Sequence, residues 1–185
     1  MARKAGLDLD DVVLAAAAIA DAQGLDALTL AAVADVLGVR SPSLYSHVDG
    51  LAGLRRELAV HAAHRLGAVL GDAEGLAALA HAYRAFAIEH PGLYAAMLPT
   101  PDAVEDPGGY QAFAAVARAV GGVFAGMDLE DDELVHRIRT VRSALHGFVS
   151  LHAGGGFGMP QDVDTSFDRM VDVLVACVAG TAGDT

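Results

Sequence analysis

The segment Thr29–Val48, TLAAVADVLGVRSPSLYSHV, predicts two short helices joined by a tight turn. After Thr29, a candidate N-cap, apolar residues recur with the spacing of one helix face. They are Leu30, Val33, Ala34 and Leu37. Gly38 follows the last of them, where a left-handed glycine commonly ends a helix. A second helix is expected to start with Ser41 as its N-cap and Pro42 at its first position.

The second helix of this segment has a polar outer face that contains neither Lys nor Glu. Leu44 and Val48 are spaced to anchor it, and the outward residues are Arg40, Ser43, Tyr45, Ser46 and His47. Solvated helix faces favour strong helix formers such as Glu and Lys. Ser, Tyr and His are weak helix formers, but they donate hydrogen bonds to phosphates and bases. The pattern indicates a helix-turn-helix that places its second helix in the DNA major groove. The alternative is a pair of amphipathic surface helices.

The same residues resemble the DNA-binding domain of TetR-family transcriptional regulators, over roughly residues 8–58. The matching motif runs from Leu37-Gly38-Val39 to Leu44-Tyr45-Ser46-His47-Val48. The resemblance implies an all-α fold, with a three-helix helix-turn-helix domain at residues 1–52 and a helical effector-binding and dimerisation domain at 53–185. It implies DNA contacts from Arg3, Lys4, Thr29, Arg40, Ser41, Pro42, Ser43, Tyr45, Ser46 and His47.

Within this set, different side chains have different expected roles. We expect Arg40, Ser43 and Tyr45 to read bases, and Thr29 and His47 to hold phosphates. Arg3 and Lys4 would form a short basic arm.

One position departs from the family pattern. The family often has Lys a few residues beyond the His, and this chain has Leu51 there. The expected phosphate contact is therefore in doubt, and Arg55 and Arg56 are the nearby cations that could replace it.

The net charge of −12 is the wrong sign for a protein that binds a polyanion. Its distribution weakens this objection. Residues 1–56 contain five basic and seven acidic side chains, a net of −2, and the remainder contains seven basic and seventeen acidic side chains, a net of −10. Residues 38–48 contain no carboxylate. The sequence therefore predicts low non-specific affinity for DNA and does not exclude specific binding.

The C-terminal half carries a second resemblance. Leu145-His146-Gly147-Phe148, with His90-Pro91-Gly92-Leu93-Tyr94 upstream, is similar to a TetR subgroup known for a Trp-His-Gly signature; Leu145 replaces the usual Trp. The subgroup implies a homodimer in which the last two long helices of each subunit pair. Expected interface residues are Phe148, Leu151, Phe167, Met170, Val171, Leu174 and Val178. A single subunit could also bury this apolar stripe internally.

The family also implies a small-molecule effector among the middle helices. An apolar pocket with few polar groups would suit a hydrophobic or aromatic ligand. Candidate lining residues are Tyr83, Phe86, Tyr94, Met97, Tyr110, Phe113, Phe124, Met127, Arg142 and His146. The alternative is that most of them are ordinary core residues. Arg139, Arg142 and His146 could meet an anion or pair with the acids of residues 128–133.

Other classes of function have little support in the residues. The histidines lack a metal-site motif, so no metal, cofactor or catalytic residue is expected. Cys177 lies in an apolar run and is predicted to be a small core residue. No apolar run is long enough to span a bilayer, and the start lacks a signal-peptide core, so we expect a cytoplasmic protein.

Helix-period runs separated by Gly and Pro predict further helices. They are expected at residues 9–23, 51–70, 76–89, 93–98, 110–127, 134–153 and 163–179. Together with the two resemblances, they predict a ligand-responsive repressor that binds a palindromic operator as a homodimer. The alternative is a helical small-molecule-binding protein with weakened or lost DNA binding.

Overall fold

A computed structural model describes residues 6–98 and 106–180, and these residues form helices and turns with no β-strand. The expected all-α fold is confirmed. The α-helices are α1 (Leu9–Gln23), α2 (Leu30–Leu37), α3 (Gly50–Gly71), α4 (Gly75–Glu89), α5 (Pro91–Ala96), α6 (Pro107–Gly122), α7 (Asp131–Ala153) and α8 (Val163–Gly180). Two short 3-10 helices lie at Leu25–Ala27 and Ser41–Ser46. Arg3 and Lys4, the expected basic arm, lie outside the described residues.

Helix α1 has the predicted bounds because both of its ends are specified locally. Asp8 and Asp11 form a capping box: the Asp11 N–H donates to the Asp8 carboxylate at 2.8 Å, and the Asp8 N–H donates to Asp11 at 3.3 Å. Gly24 has φ +84° and donates its N–H to the Ala20 carbonyl at 2.9 Å. Such a left-handed glycine stops a helix without strain.

Several other helix ends differ from the prediction. Helix α5 begins at Pro91, two residues early, because proline fits the first turn of a helix. Helix α6 ends at Gly122 and not near Met127, because the glycine pair favours tighter turns. There, the Phe124 N–H donates to the Gly121 carbonyl at 3.0 Å. Helix α7 starts at Asp131, with three acids in its positive first turn.

The chain forms two compact units. The first comprises the chain up to Arg65 together with Glu89–Phe113, and the second comprises Leu66–Ile88 together with the chain from Ala114 onward. Helix α3 runs without interruption through the boundary expected between residues 52 and 53. The residues of the helix-turn-helix therefore belong to a larger unit that also contains α5.

The first unit packs α2 and α5 on α1. Leu28, Leu44, Leu54 and Leu93 are almost fully buried in its core. The second unit buries a separate cluster that includes Leu79, Tyr83, Phe86, Phe124, Leu145, Phe148, Phe167 and Val171. Each unit thus has a hydrophobic core of its own, as a folded domain requires.

Candidate DNA-binding surface and C-terminal helices

Thr29 caps α2, as predicted. Its hydroxyl oxygen accepts a hydrogen bond from the Ala32 N–H at 3.0 Å. The residue is exposed, and within the described part of the chain its hydroxyl proton is donated to no partner. The same hydroxyl can therefore cap the helix and still donate to a phosphate oxygen. The positive end of α2 would favour such an anion.

A Schellman motif forms the turn after α2. Gly38 has φ +66° and ψ +32°, the left-handed conformation predicted for it. The Gly38 N–H donates to the Asp35 carbonyl at 3.2 Å, and the Val39 N–H donates to the Ala34 carbonyl at 3.0 Å. These two bonds satisfy carbonyls that α2 leaves unpaired, and they direct the chain sharply into the next helix.

The recognition segment, which we define as Arg40–His47, contains the second predicted helix in the form of a 3-10 helix, Ser41–Ser46. The Ser43 N–H donates to the Arg40 carbonyl at 2.8 Å, and the His47 N–H donates to Leu44 at 2.9 Å. Short runs of weak helix formers commonly adopt this tighter form. The prediction that Ser41 caps this helix is wrong: Arg40 occupies the N-cap position and Ser41 is already helical.

The recognition segment is fixed to the core by Leu44, which is fully buried, and by Val48. Tyr45 projects with 63% of its surface exposed. Among the predicted contact residues, Arg40, Pro42, Ser43 and Ser46 are also exposed, whereas Ser41 and His47 are half-buried.

The outward side chains of this segment differ in how many contacts they already make. The Ser46 hydroxyl donates to the Ser43 carbonyl at 2.9 Å, so its proton is used inside the segment. In residues 6–98 and 106–180, the side chains of Arg40, Ser43 and Tyr45 have no hydrogen-bond or ionic partner. These three side chains are therefore available to an external partner.

The cations expected to replace a missing phosphate contact are partly engaged. Arg55 donates to the Leu25 carbonyl at 3.4 Å, and Arg56 lies 3.4 Å from the Glu57 carboxylate. Both arginines are exposed, and Leu51 is half-buried in the first turn of α3. Residue 51 itself therefore contributes no cation to this flank, and the two exposed arginines are partly used in contacts within the chain.

The predicted effector residues are divided between the two units. Tyr94, Met97, Tyr110 and Phe113 belong to the first unit, and the second contains Tyr83, Phe86, Phe124, Met127, Arg142 and His146. Tyr83, Phe86, Tyr94, Met97 and Phe124 are buried, whereas Tyr110 and Arg142 are exposed.

An apolar cavity of about 190 Å³ lies within the second unit, and it shares only Phe124 with the predicted lining. Its walls are Phe124, Glu133, Arg137, Thr140, Val141, Leu174, Cys177 and Val178. Arg137 donates to Glu133 at 2.8 Å across one helical turn. Cys177, predicted to be a small core residue, is exposed, and it lies in the wall of this cavity.

The predicted interface residues occupy two kinds of position. Phe148, Phe167 and Val171 are buried inside the subunit, which leaves them little surface for a partner. Met170, Leu174 and Val178 are half-buried, and Leu151 is exposed. Val173 and Val175 are also exposed on α8.

In residues 6–98 and 106–180, no group of three His, Cys, Asp or Glu side chains is arranged to hold a metal ion. No helix within those ranges has the length and apolar character needed to cross a membrane.

Comparison with known proteins identifies the family. The model for the "Tetracyclin repressor-like, C-terminal domain" matches residues 76–174. An uncharacterised HTH-type transcriptional regulator of Mycobacterium tuberculosis is 35% identical over 185 residues, covering 95% of this chain and 84% of that protein. The chain belongs to the TetR family. The HTH-type regulator YobS of Bacillus subtilis is 35% identical over 171 residues, covering 88% of each chain.

Solved TetR-family structures share the fold. A TetR variant of Acinetobacter baumannii in complex with minocycline has a TM-score of 0.73 at 20% identity, covering 97% of this chain and 100% of that one. The protein ActR of Streptomyces coelicolor in complex with (S)-DNPA has a TM-score of 0.67 at 18% identity, with the same coverage. The relatives are named as transcriptional regulators, so this chain is a DNA-binding regulator and not an enzyme.

Proposed function

We propose that this TetR-family regulator is a repressor that binds a palindromic operator as a homodimer and releases it when a small molecule binds. The observation that supports this most is the recognition segment. Buried Leu44 fixes it to the core, and Arg40, Ser43 and Tyr45 project from it without partners in the described residues. A surface that is rigidly supported and polar, yet unpartnered, is what base recognition requires.

Different side chains of this surface would contact bases and phosphates. Arg40 can donate two parallel hydrogen bonds to a guanine edge, a contact worth about 1–3 kcal/mol of discrimination. Ser43 and Tyr45 would complete the reading of bases. Thr29 and His47 would hold phosphates on either side, Thr29 through the hydroxyl proton that its capping bond leaves available.

Dimerisation would use the last two long helices. The exposed Leu151, Val173 and Val175 and the half-buried Met170, Leu174 and Val178 supply apolar surface on α7 and α8. Phe148, Phe167 and Val171 would support that surface from inside the subunit. A two-fold dimer presents two recognition segments to half-sites about 34–36 Å apart, one turn of DNA.

The effector would be hydrophobic or aromatic and would bind within the second unit. The relatives solved with minocycline and with (S)-DNPA favour a ligand of this kind. Tyr83, Phe86, Phe124, Met127 and His146 are the predicted lining residues that this unit contains, together with the exposed Arg142. By linkage, the effector must bind the released conformation more tightly than the DNA-bound one.

The decisive experiment is selection of DNA by the full-length protein from a pool of random 30-base-pair duplexes. We expect the selected sequences to share a palindromic consensus, and we expect one protein dimer to bind each duplex. Tyr45→Ala should abolish binding to the selected duplex while circular dichroism stays unchanged. Tyr110→Ala is the matched control, because Tyr110 is 44% exposed in the same unit but lies outside the recognition segment.

A second candidate function is a helical small-molecule-binding protein with weakened DNA binding. Leu51 at the expected lysine position and the net charge of −12 favour it. Failure to enrich any duplex at low salt would support this alternative and contradict the repressor. Retention of the wild-type affinity by Tyr45→Ala would contradict the assigned recognition surface.

A further inference from the structure

A polar cluster joins the last turn of α1 to the start of α5. One Asp21 carboxylate oxygen lies 2.9 Å from His90 Nδ1, and the other accepts the Leu93 N–H at 2.9 Å. On the far side of the ring, Arg65 Nη2 lies 3.1 Å from His90 Nε2. Asp21 and His90 are both partly buried. We call Asp21, His90 and Arg65 the clasp.

The clasp has one arrangement of protons that satisfies both sides of the imidazole. Nδ1 must carry a proton to donate to the Asp21 carboxylate. Nε2 must be unprotonated to accept from Arg65, because a guanidinium can only donate. A neutral ring in this tautomer meets both needs. The carboxylate of Asp21 therefore orients the ring that Arg65 contacts.

Beside the clasp, the backbone of α5 is also in close contact with the backbone of α1. A Cβ atom built on Gly92 would lie 2.1 Å from the carbonyl carbon of Ala20, so only glycine allows this approach. Helix α5 therefore rests directly on the backbone of α1. The position of α5 depends on this contact and on the hydrogen bond from Leu93 to Asp21.

All three clasp residues belong to the first unit, which is built from two separate segments of the chain. Asp21 and Arg65 lie in the segment that ends at Arg65, and His90 lies in Glu89–Phe113. The contacts of His90 therefore join the second segment to α1 and α3. Helix α1 in turn packs against α2, which leads through the Schellman turn into the recognition segment.

We propose that the clasp is a positioning site for DNA recognition: Asp21, His90 and Arg65 fix α1, and with it the recognition segment, in the orientation that fits the operator. The clasp acts without touching DNA. This inference rests on the proposed function, because it concerns the orientation of the same recognition segment. A cluster that only stabilised the fold would affect the binding of all DNA equally.

Asp21→Asn tests the clasp with little change of shape. The asparagine oxygen can still accept from Leu93, but its amide N–H₂ would face His90 Nδ1. Either that contact is lost, or the ring changes tautomer and presents an N–H to Arg65. Glu89→Gln is the matched control: it removes the same charge from an exposed neighbouring residue. Any general electrostatic gain in DNA affinity is then common to both variants.

We expect Asp21→Asn to raise the Kd for the selected duplex about tenfold, as for the loss of one charge-assisted hydrogen bond. Its Kd for a scrambled duplex should match that of Glu89→Gln. His90→Asn, whose amide can replace Nδ1 as a donor to Asp21, should retain more specific affinity than His90→Ala. Wild-type affinity in Asp21→Asn, or an equal loss on both duplexes, would overturn the proposal.

Amide hydrogen exchange separates failure of the clasp from failure of the proposed function. In Asp21→Asn without DNA, the Leu93 amide and the last turn of α1 should exchange faster, with α7 and α8 unchanged. Unchanged Leu93 exchange would overturn the clasp whatever the DNA result. If the wild-type protein selects no duplex, the repressor proposal fails, and the proposed role of the clasp in DNA recognition fails with it; the exchange comparison then tests only the structural contact.

Discussion

The guanidinium carbon of Arg84 lies 4.8 Å from the ring centroid of Phe167, in the interior of the second unit. The same carbon lies 5.9 Å from the ring centroid of Phe148. The two phenylalanine rings contact each other edge to face, with their centroids 5.1 Å apart. The Arg84 side chain is only 12% exposed, and it forms an ion pair with Asp164 at the surface. Arg84 thus joins α4 to the aromatic core and to α8.

The first prediction separates the ring contacts of Arg84 from its ion pair. Arg84→Lys should destabilise the second unit by about 1–2 kcal/mol, because an ammonium lacks the planar surface that stacks on both rings. Asp164→Asn should cost less than about 1 kcal/mol, since Asp164 is 76% exposed and solvent screens the pair. Urea unfolding of both variants measures the difference. A larger cost for Asp164→Asn than for Arg84→Lys would show that the ion pair dominates.

A pair of glycine substitutions should have opposite effects on stability. Gly92→Ala would place a methyl group against the Ala20 backbone, which cannot yield as a side chain can, so we expect a loss of at least about 2 kcal/mol. Gly147→Ala, in the interior of α7 with no atom within 4 Å of the new Cβ, should gain about 0.5–1 kcal/mol. Thermal unfolding measures both. Equal effects of the two substitutions would contradict the close approach of α5 to α1.

The local parts of this fold could be predicted from the sequence, whereas its long-range polar contacts could not. Thr29 and Gly38 act within one turn of their own positions, so their roles follow from neighbouring residues. The contact between Asp21 and His90 joins residues 69 positions apart, and the spacing of residues along the sequence gives no indication of it. The 3-10 form of the recognition segment was also not predicted, because the residue spacing indicated a helix without showing which hydrogen-bond pattern that helix would have.

The exposure of side chains in the recognition segment was predicted better than the burial pattern of α8. Arg40, Ser43 and Tyr45 are outward, as the spacing of Leu44 and Val48 requires. On α8, by contrast, an apolar stripe wider than one contact face gave no way to separate Phe167, which is buried, from Val173, which is exposed. Which part of a broad stripe is buried depends on the packing of the other helices, and the sequence of α8 alone does not contain that information.

Protonation of His61 should make the first unit less stable in mild acid. Its Nε2 is buried and has no hydrogen-bond partner within the described residues. Burial, and next the positive charge of Arg65, hold the pKa of the His61 imidazole below its usual 6.5, although Asp10 acts in the opposite direction. Because the unfolded chain takes up this proton first, stability should fall as the pH drops from about 6.5 toward the lowered pKa.

The measurement for His61 is the free energy of unfolding in urea at pH 7.5 and pH 5.5. The wild-type protein should lose more stability across this interval than His61→Gln, which has no imidazole to protonate. His64→Gln is the control on the same helix, because His64 is exposed. If His61→Gln shows the same pH dependence as the wild-type protein, titration of His61 does not contribute.

Thr29 should contribute separately to stability and to DNA binding. Thr29→Ala removes the acceptor for the Ala32 N–H and should cost about 1 kcal/mol, as for other N-cap losses. Thr29→Ser keeps both the acceptor and the hydroxyl proton, and should retain stability and affinity for the selected duplex. Thr29→Asp is the informative third variant: it caps the helix but repels a phosphate. Wild-type DNA affinity in Thr29→Asp would contradict a phosphate contact at this position.

Leu51→Lys should add the phosphate contact that this flank lacks. Leu51 is half-buried in the first turn of α3, so a lysine stem can cover the same apolar surface while its ammonium extends into solvent. The substitution should tighten binding to the selected and the scrambled duplex alike. For a dimer it should steepen the dependence of log Kd on log salt by about 1.8, because each neutralised phosphate contributes about 0.9. Leu51→Met, which adds no charge, should leave that slope unchanged. An unchanged slope in Leu51→Lys would place residue 51 away from the DNA backbone and would contradict the docking orientation assigned to the recognition segment.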